Sequence, residues 1–255
     1  IKDKMNKTSW IIGGSSGIGA ALALELSKNG ENVCISSSSL DSLRQKAIEI
    51  SNQTGKYIHH VNADVSSYEQ VSQAARDIIA KYEKIDRVIF MAGIYEPMKT
   101  DCMDPSLSAK IIEVNLTGAF NTINSVLSIM KQQGFGQIAI CASLSGYIGL
   151  PNAQPYASTK AALINLAETL RIDLNNEIDI KLINPGFVST RLTDKNSFRM
   201  PGLMTPKEAA IIICDGLNSK KFEIHFPKRL SLILKFLSIL PYFTSSICLK
   251  MLKLK

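Results

Sequence analysis

The 255-residue sequence lacks the features that identify several large classes of protein. Its five cysteines are odd in number, lie far apart and form no CxxC pair or Cys/His cluster. Neither a disulfide framework nor a metal site is therefore expected, and a reducing compartment is favoured. The first apolar run, residues 10–12, is too short for the core of a secretory signal. These absences predict a cytoplasmic protein.

Acidic residues are missing from one end of the chain. The formal net charge is +7, and residues 228–255 hold six Lys and Arg but no Asp or Glu. The same segment is rich in Leu and Ile, whereas an arm that binds nucleic acid is more polar. The excess positive charge therefore argues against a nucleic-acid partner and favours a lipid surface or an apolar protein surface.

Short apolar runs alternate with longer segments of helical periodicity, a pattern typical of a parallel sheet covered by helices on both faces. The predicted strands are residues 8–12, 32–37, 56–61, 86–91, 137–143, 179–184 and 222–226. The predicted helices are residues 18–28, 40–52, 68–82, 107–132, 156–175 and 206–218. Because no Pro/Gly-rich linker interrupts this alternation, we expect one doubly wound α/β (Rossmann) domain over residues 1–227. Residues 228–255 are expected to form an apolar and basic helical tail.

A glycine-rich turn follows the first predicted strand and opens the first predicted helix. Glycines allow a tight turn and a close approach of the backbone, and the N–H groups at a helix start bind pyrophosphate. The position of the turn in a strand–turn–helix unit favours a dinucleotide site over a merely structural turn. The expected cofactor contacts are Gly13, Ser15, Ser16, Gly17, Ile18 and Gly19.

The second predicted strand ends in four serines, residues 36–39, where sites that prefer NAD usually carry a carboxylate. One interpretation is a polar turn whose last serine caps the next helix. The other is a pocket, formed with Ser37 and Ser38, that admits the 2′-phosphate of NADP(H). The missing carboxylate favours NADP(H), with NAD(H) as the alternative. Asp64, which precedes Val65, could hold the adenine or simply cap the following helix.

Tyr156 and Lys160 are four residues apart, so that on a helix they share one face. A cation beside a phenol favours the phenolate and lowers the pKa of the tyrosine toward neutral pH. Such a tyrosine can donate a proton in ketone reduction and accept one in alcohol oxidation. A surface pair on a helix is the structural alternative for this spacing.

Seven motifs occur together in this order, and with them the chain resembles the short-chain dehydrogenase/reductase family over about residues 8–227. They are Gly13-Gly14-x-x-Gly17-Ile18-Gly19, Asp64-Val65, Ala92-Gly93, Asn115-x-x-Gly118, Ser143, Tyr156-x-x-x-Lys160 and Pro185-Gly186-x-x-x-Thr190. The resemblance implies a nicotinamide-dependent oxidoreductase that assembles as a homodimer or homotetramer. It places Tyr156 as the proton carrier, with Ser143 on the substrate oxygen and Lys160 on the nicotinamide ribose.

The resemblance also implies roles for residues around this catalytic set. Asn115 would hold a water in a proton relay, and Thr190 with the Pro185-Gly186 turn would fix the nicotinamide amide. Val188, Ala92 and Gly93 are further expected cofactor contacts. Two positions depart from the family: Ile12 stands where Thr is usual, and Phe90-Met91 stand where two asparagines usually precede Ala-Gly. These changes put the cofactor affinity in question and leave the reacting groups intact.

Two sequence segments point to an apolar small-molecule substrate. The expected substrate lid, residues 190–205, is rich in Leu, Met and Phe. In the tail, residues 229–240 form an apolar and basic helix, Pro241 breaks it, and residues 242–255 resume the pattern. Neither half has the roughly 20 apolar residues that span a bilayer, so the tail is predicted to lie on an anionic membrane face. The alternative is that it packs on a partner subunit or roofs the substrate cleft.

Two hypotheses of different class follow. The first is an NADP(H)-dependent oxidoreductase acting on a hydrophobic carbonyl or secondary alcohol. The second is a nucleotide-sensing or scaffold protein that retains the fold without turnover.

Dimerisation is expected through helices 107–132 and 156–175, where Ala161, Ala162 and Ala167 are small enough for close helix contact. These alanines could equally pack on their own sheet.

Overall fold

Seven parallel strands form a single sheet in the order β3-β2-β1-β4-β5-β6-β7 in the computed structural model, which describes residues 6–174, 177–198 and 200–244. Numbered along the chain, they are β1 (Thr8–Ile12), β2 (Asn32–Ser37), β3 (His59–Asn62), β4 (Arg87–Phe90), β5 (Gln137–Cys141), β6 (Asp179–Pro185) and β7 (Glu223–Phe226). β1, β4 and β5 are buried at every residue, because helices cover both faces of the sheet.

In the described part of the chain, eight α-helices connect and cover the strands. They are α1 (Gly17–Lys28), α2 (Leu40–Thr54), α3 (Tyr68–Tyr82), α4 (Pro105–Ile112), α5 (Gly118–Gln133), α6 (Tyr156–Asp173), α7 (Pro206–Leu217) and α8 (Lys228–Ile239). Buried residues of α3, α5 and α6 form the core on one face of the sheet. Those of α1, α2 and α7 form the core on the other face. The predicted doubly wound fold is therefore confirmed.

The helix predicted over residues 107–132 is interrupted. α4 and α5 are separate helices joined by a π-helical turn, Glu113–Thr117. A π-turn inserts an extra residue into the helical register and often lies at a functional site. Here it buries Asn115 completely. Periodicity could not show this interruption, because the apolar residues on either side of the turn keep a helical spacing.

The sheet brings the predicted motifs to one edge. β1 pairs with β2 on one side and with β4 on the other, so that the chain crosses from one half of the sheet to the other beside β1. In open parallel sheets, ligands bind outside the carboxyl ends of the strands at this point of reversal. The glycine turn follows β1 there, and Ala92-Gly93 follow β4 on the same edge.

The tail begins with a helix that packs on the main domain. Leu234 and Leu237 of α8 are buried in a cluster with Leu144, which comes from the loop after β5. Tyr147 and Ile148 of that loop pack against the same cluster. The inner face of α8 therefore packs on the predicted catalytic loop of its own domain. Residues 245–255 of the tail lie outside the described residues.

The opposite face of α8 is exposed and apolar. Its side chains are Leu232, Ile233, Phe236 and Ile239, which are 58%, 51%, 59% and 77% exposed. Tyr242 and Phe243, which follow the helix, are 93% and 79% exposed. Over the described ranges, none of the helices combines the length and the apolar character that a membrane crossing needs.

Candidate active site

The glycine turn after β1 is built so tightly that larger residues would not fit. Gly13 has φ +90°, and a Cβ there would lie 2.7 Å from the backbone N of Ala92. A Cβ on Gly19 would lie 2.2 Å from the carbonyl O of Gly13, so α1 starts directly against the turn. The N–H groups of Gly13 and Gly14 donate to the carbonyl of Ser36 at 2.8 and 3.1 Å. This cradle fits the pyrophosphate of a dinucleotide.

The start of α1 faces the segment that follows β6. Ser15, Ser16 and Ile18 are half-buried around this helix start, and the side chain of Ser16 makes no capping hydrogen bond. Gly17 has φ +55°, and a Cβ on it would lie 3.2 Å from Cγ2 of Thr190. The structure therefore brings two distant motifs, the glycine turn and Thr190, to the same place.

The serine turn after β2 carries no acidic side chain in the position of a ribose-binding carboxylate. Ser37 is half-buried, and its hydroxyl donates to the carbonyl of Ser39 at 3.2 Å. Ser38 is exposed, and Ser39 is the N-cap residue of α2, although its side chain makes no capping bond. Asp41 and Arg44 lie exposed on α2. The hydroxyl groups of the turn can bind an anion, and the nearest carboxylate along the chain is that of Asp41, in the first turn of α2.

Asp64 does not cap the following helix. Its Oδ1 accepts a hydrogen bond from the N–H of Ser66 at 2.9 Å, while Ser67 caps α3 by accepting from Gln70. The capping alternative for Asp64 is therefore wrong, because the chain makes a short turn before the helix begins. Val65 is buried, and its carbonyl accepts from the side chain of Asn121 at 2.8 Å.

Asn115 holds the loop that follows β4. Its Oδ1 accepts from the N–H of Ile94 at 2.7 Å, and its Nδ2 donates to the carbonyl of the same residue at 2.9 Å. A Cβ on Gly93 would lie 3.4 Å from Oδ1 of Asn115 and 3.7 Å from Nζ of Lys160. The side chain of Asn115 therefore fixes backbone in this structure, and its part in a water relay stays a prediction.

Apolar packing takes the place of the two missing asparagines. Phe90 is 1% exposed and lies in the core on one face of the sheet. Met91 packs against the core on the other face, and its N–H donates to the carbonyl of Ile12 at 2.8 Å. The strand end is thus supported by apolar contacts and the backbone.

Ser143 is held in a defined orientation at the end of β5. Its Oγ accepts hydrogen bonds from the N–H and the hydroxyl of Ser145, at 3.1 and 3.0 Å. A serine oxygen accepts two such bonds and donates one. Its single proton can be donated either to the carbonyl of Pro185, 3.4 Å away, or to the hydroxyl oxygen of Tyr156, with which Ser143 interacts.

Tyr156 and Lys160 lie together on the first turns of α6. Tyr156 is half-buried, whereas Lys160 is 4% exposed and donates from Nζ to the carbonyl of Cys141 at 2.9 Å. The Lys160 nitrogen lies 5.3 Å from the centre of the Tyr156 ring. The sequence-based alternative, a pair on the helix surface, is therefore wrong, because both side chains point into the protein.

Residues 7–200 match the family model of short chain dehydrogenases. An uncharacterized oxidoreductase of Myxococcus xanthus is 30% identical to this chain and covers 92% of it, and this chain covers 93% of that relative. The chain belongs to the short-chain dehydrogenase family. It is therefore an oxidoreductase that interconverts CH–OH and C=O groups with a nicotinamide dinucleotide.

Two further proteins are similar to this chain, one in sequence and one in structure. A 3-oxoacyl-(acyl-carrier-protein) reductase of Staphylococcus epidermidis is 28% identical over 74% of this chain and 78% of its own. An alcohol dehydrogenase of Thermococcus sibiricus, solved with 5-hydroxy-NADP, is 26% identical with a TM-score of 0.78. That comparison covers 86% of this chain and 95% of the solved one.

The environment of the tyrosine in this short-chain dehydrogenase opposes ionisation. Burial and, to a smaller extent, the nearby Cys141 thiol raise the pKa of Tyr156 above its usual value, and the hydrogen bond with Ser143 lowers it only in part. Burial also lowers the pKa of Lys160. The expectation of a lowered tyrosine pKa is therefore not met in this structure, because the effect of burial on Tyr156 outweighs its hydrogen bond with Ser143. The ammonium group of Lys160 binds the Cys141 carbonyl.

The segment after β6 forms the far wall of this dehydrogenase site. The N–H of Gly186 donates to the carbonyl of Phe226 at 2.7 Å, which ties the end of β6 to β7. Val188 is buried and forms a bridge with Met204. The N–H of Thr190 donates to the hydroxyl oxygen of Thr193 at 3.0 Å. These contacts fix both ends of the predicted lid.

Sequence reasoning missed Tyr95. Its ring lies edge-on to that of Tyr156, with ring centres 5.0 Å apart and planes at 66°. Its hydroxyl donates to Oδ1 of Asn196 in the lid segment, at 3.0 Å. The only signal in the sequence was an aromatic residue two positions after Gly93, which does not show that the two loops meet.

A cleft of about 330 Å³ opens where α8 meets the loop that carries Ser143. Its walls include Tyr147 and Ile148 of that loop, Ser158 of α6, and Leu240 and Tyr242 from the tail. The tail therefore lines this cleft together with the loop after Ser143 and the start of α6. Over the described part of the chain, no group of three His, Cys, Asp or Glu side chains could hold a metal ion.

Proposed function

We propose that the protein is an NADP(H)-dependent oxidoreductase acting on a hydrophobic carbonyl or secondary alcohol, with Tyr156 as its proton carrier. The convergence of Ser143, Tyr156 and Lys160 beside the glycine turn carries this proposal. The glycine turn lies more than 100 residues before these three side chains, and the fold brings both to one edge of the sheet. A nucleotide-sensing or scaffold protein could use the buried Lys160 ammonium to hold a cofactor ribose, but it has no need of the Tyr156 phenol beside that ammonium.

Each residue then has a role that its contacts support. The bound nicotinamide supplies the hydride. Ser143, with both acceptor positions filled by Ser145, donates its proton to the substrate oxygen. Tyr156 gives a proton to that oxygen in reduction and takes one in oxidation. Lys160 would bind a ribose hydroxyl of the cofactor and would stabilise the phenolate of Tyr156.

The pH dependence of turnover tests this proposal. Because burial raises the pKa of Tyr156, the tyrosine stays protonated at neutral pH. We expect kcat/KM for ketone reduction to stay level from about pH 6 to about pH 9 and to fall above that range, whereas alcohol oxidation should rise with pH. The measurement is NADPH absorbance with a panel of cyclic and aryl ketones. A reduction rate that falls through pH 7 contradicts the assignment, and no turnover with any ketone supports the scaffold hypothesis.

The serine turn supports a preference for NADP(H). A 2′-phosphate at Ser37 and Ser38 would meet hydroxyl groups and the N–H groups at the start of α2, and no carboxylate side chain is present in the turn. The related alcohol dehydrogenase was solved with an NADP derivative. Both observations favour the phosphorylated cofactor.

Ser37→Asp is expected to reverse this preference. A carboxylate at this position would repel the 2′-phosphate and accept hydrogen bonds from the ribose hydroxyls of NADH. We expect the Kd of NADPH to rise at least about tenfold, the effect of roughly 1.4 kcal/mol. Fluorescence titration at fixed salt gives both constants. Ser37→Asn, which adds similar bulk without charge, is the control, and equal effects of the two variants would contradict the charge argument.

The exposed apolar face of α8 favours a location of the protein at the cytoplasmic surface of a membrane. Its outer face presents Leu232, Ile233, Phe236 and Ile239, with the exposed Lys228 and Arg229 at its start. Lys235, however, pairs with Glu223 and is not part of a lipid-facing cationic surface. Apolar side chains flanked by cations suit an anionic bilayer interface. A lipid-soluble substrate would reach the site from that surface.

Co-sedimentation with vesicles of phosphatidylcholine and phosphatidylglycerol tests the membrane proposal. We expect the full chain to bind at low salt and the triple variant Leu232→Ser, Ile233→Ser, Phe236→Ser to bind at least about tenfold more weakly, because buried apolar area is lost. Ile48→Ser, at an exposed isoleucine of α2, is the control. If the full chain stays in the supernatant, the tail has only a packing role.

Homodimer formation is proposed through the helices next to the site. Ala161 is exposed on α6 and Ala162 is half-buried, whereas Ala167 is fully buried in its own core and cannot reach a partner. Phe120 and Ile172 are exposed on α5 and α6, at 45% and 76%. Light scattering of the active protein should give twice the monomer mass, and a monomeric mass contradicts the proposal.

A further inference from the structure

We propose that Tyr95 is a second tyrosine of the active site, whose ring positions Tyr156 and whose hydroxyl latches the substrate lid. This inference rests on the proposed function, because it assigns Tyr95 to the same site. The part of the predicted lid that meets Tyr95 is residues 190–198. Tyr95 would then decide which substrates enter, and how firmly the lid holds them.

The loop that carries Tyr95 is held in place by the buried side chain of Asn115. Asn115 binds both the N–H and the carbonyl of the preceding residue, Ile94, at 2.7 and 2.9 Å. Asn115 is itself 0% exposed and lies in the π-helical turn between α4 and α5. Tyr95 therefore projects from a backbone position that is held by a buried side chain.

The ring of Tyr95 contacts the ring of the proposed proton carrier. An edge-on arrangement with centres 5.0 Å apart is a favourable geometry for two aromatic rings. The contact restricts rotation of the Tyr156 ring, which must direct its hydroxyl at the substrate oxygen. The Tyr95 ring also fills space beside Tyr156 that a large substrate would need.

The opposite end of Tyr95 reaches the lid. Its hydroxyl donates to Oδ1 of Asn196 at 3.0 Å, and both residues are half-buried. Lys195 donates to the carbonyl of Tyr95 at 3.0 Å and pairs with Glu96. The Lys195 and Glu96 side chains are each 43% exposed. Exposed ion pairs contribute little, and the bond from Lys195 uses the backbone of residue 95, so the bond to Asn196 is the connection that depends on the Tyr95 side chain.

The ring and the hydroxyl of Tyr95 can be tested separately. Tyr95→Phe keeps the ring contact and breaks the latch, so KM should rise about fivefold, the effect of one hydrogen bond, with kcat nearly unchanged. Asn196→Ala should have the same effect, and the double variant should be no worse than either single variant. Tyr95→Ala should also lower kcat and shift the substrate preference from cyclohexanone toward the bicyclic ketone decalone, because it opens space beside Tyr156.

Native-state trypsin cleavage after Lys195 gives a readout that does not depend on activity. Tyr95→Phe and Asn196→Ala should each speed this cleavage about fivefold, because the lid opens more often. Tyr68→Phe, at an exposed tyrosine of α3, should leave both cleavage and kinetics unchanged. If cleavage and KM stay at the values of the unaltered protein in both latch variants, the latch is refuted. If Tyr156→Phe also retains turnover, the proposed function fails as well, and the two failures are thereby distinguished.

Discussion

Replacement of Tyr156 by Phe is expected to lower kcat at least about 100-fold while leaving the Kd of NADPH nearly unchanged. The change removes the hydroxyl that transfers the proton and keeps the ring that packs against Tyr95. It also removes the hydrogen bond between Tyr156 and Ser143. Steady-state kinetics and fluorescence titration of the cofactor separate the two effects.

Tyr82→Phe is the matched control for this experiment. Tyr82 packs against the core, and burial raises the pKa of Tyr82 to about 12, so it shares the environment of a partly buried phenol without lying near the site. Turnover should be retained in the control. Near-normal rates in Tyr156→Phe would mean that another group carries the proton, and the mechanism proposed above would be wrong.

Lys160→Met is expected to lower kcat by about 100-fold and to weaken cofactor binding. The Lys160 ammonium lies 5.3 Å from the centre of the Tyr156 ring. Methionine keeps most of the length of the lysine side chain without its charge. The Cys141 carbonyl would lose one donor, at a cost on the order of 1–3 kcal/mol. Activity should therefore suffer far more than folding, as kinetics and thermal unfolding would show.

A second buried lysine supplies the control. Lys181 is 1% exposed and donates to the carbonyls of Ser219 and Lys221, at 2.7 and 3.0 Å, away from the site residues. Lys181→Met should lower the unfolding temperature and retain kcat. If the two variants lost activity in proportion to their loss of stability, Lys160 would have a structural role only.

The predicted elements were confirmed in number and order for the seven strands, because buried parallel strands produce apolar runs that are visible in the sequence. Four strands, β3, β4, β5 and β7, are shorter than predicted, and the helix over residues 156–175 ends at Asp173. Residue 175 lies outside the described residues. The ends of elements depend on tertiary contacts, which periodicity does not contain.

The sequence by itself determined the family, the fold class and the identity of the proposed catalytic groups. These follow from local signals: a glycine turn after an apolar strand, and a tyrosine and lysine on one helical face. Each motif is short, so a single one could occur by chance. Their occurrence together and in the same order identifies the family.

Only the tertiary structure decided how those groups are oriented. The binding of Lys160 to a backbone carbonyl, the raised pKa of Tyr156 and the contact with Tyr95 all join residues that are distant along the chain or depend on burial. The same holds for α8, whose two faces looked alike in sequence, because Leu and Ile serve a core and an exposed surface equally well. Which face is buried is set by the shape of the loop that carries Ser143, and that shape exists only in the folded chain.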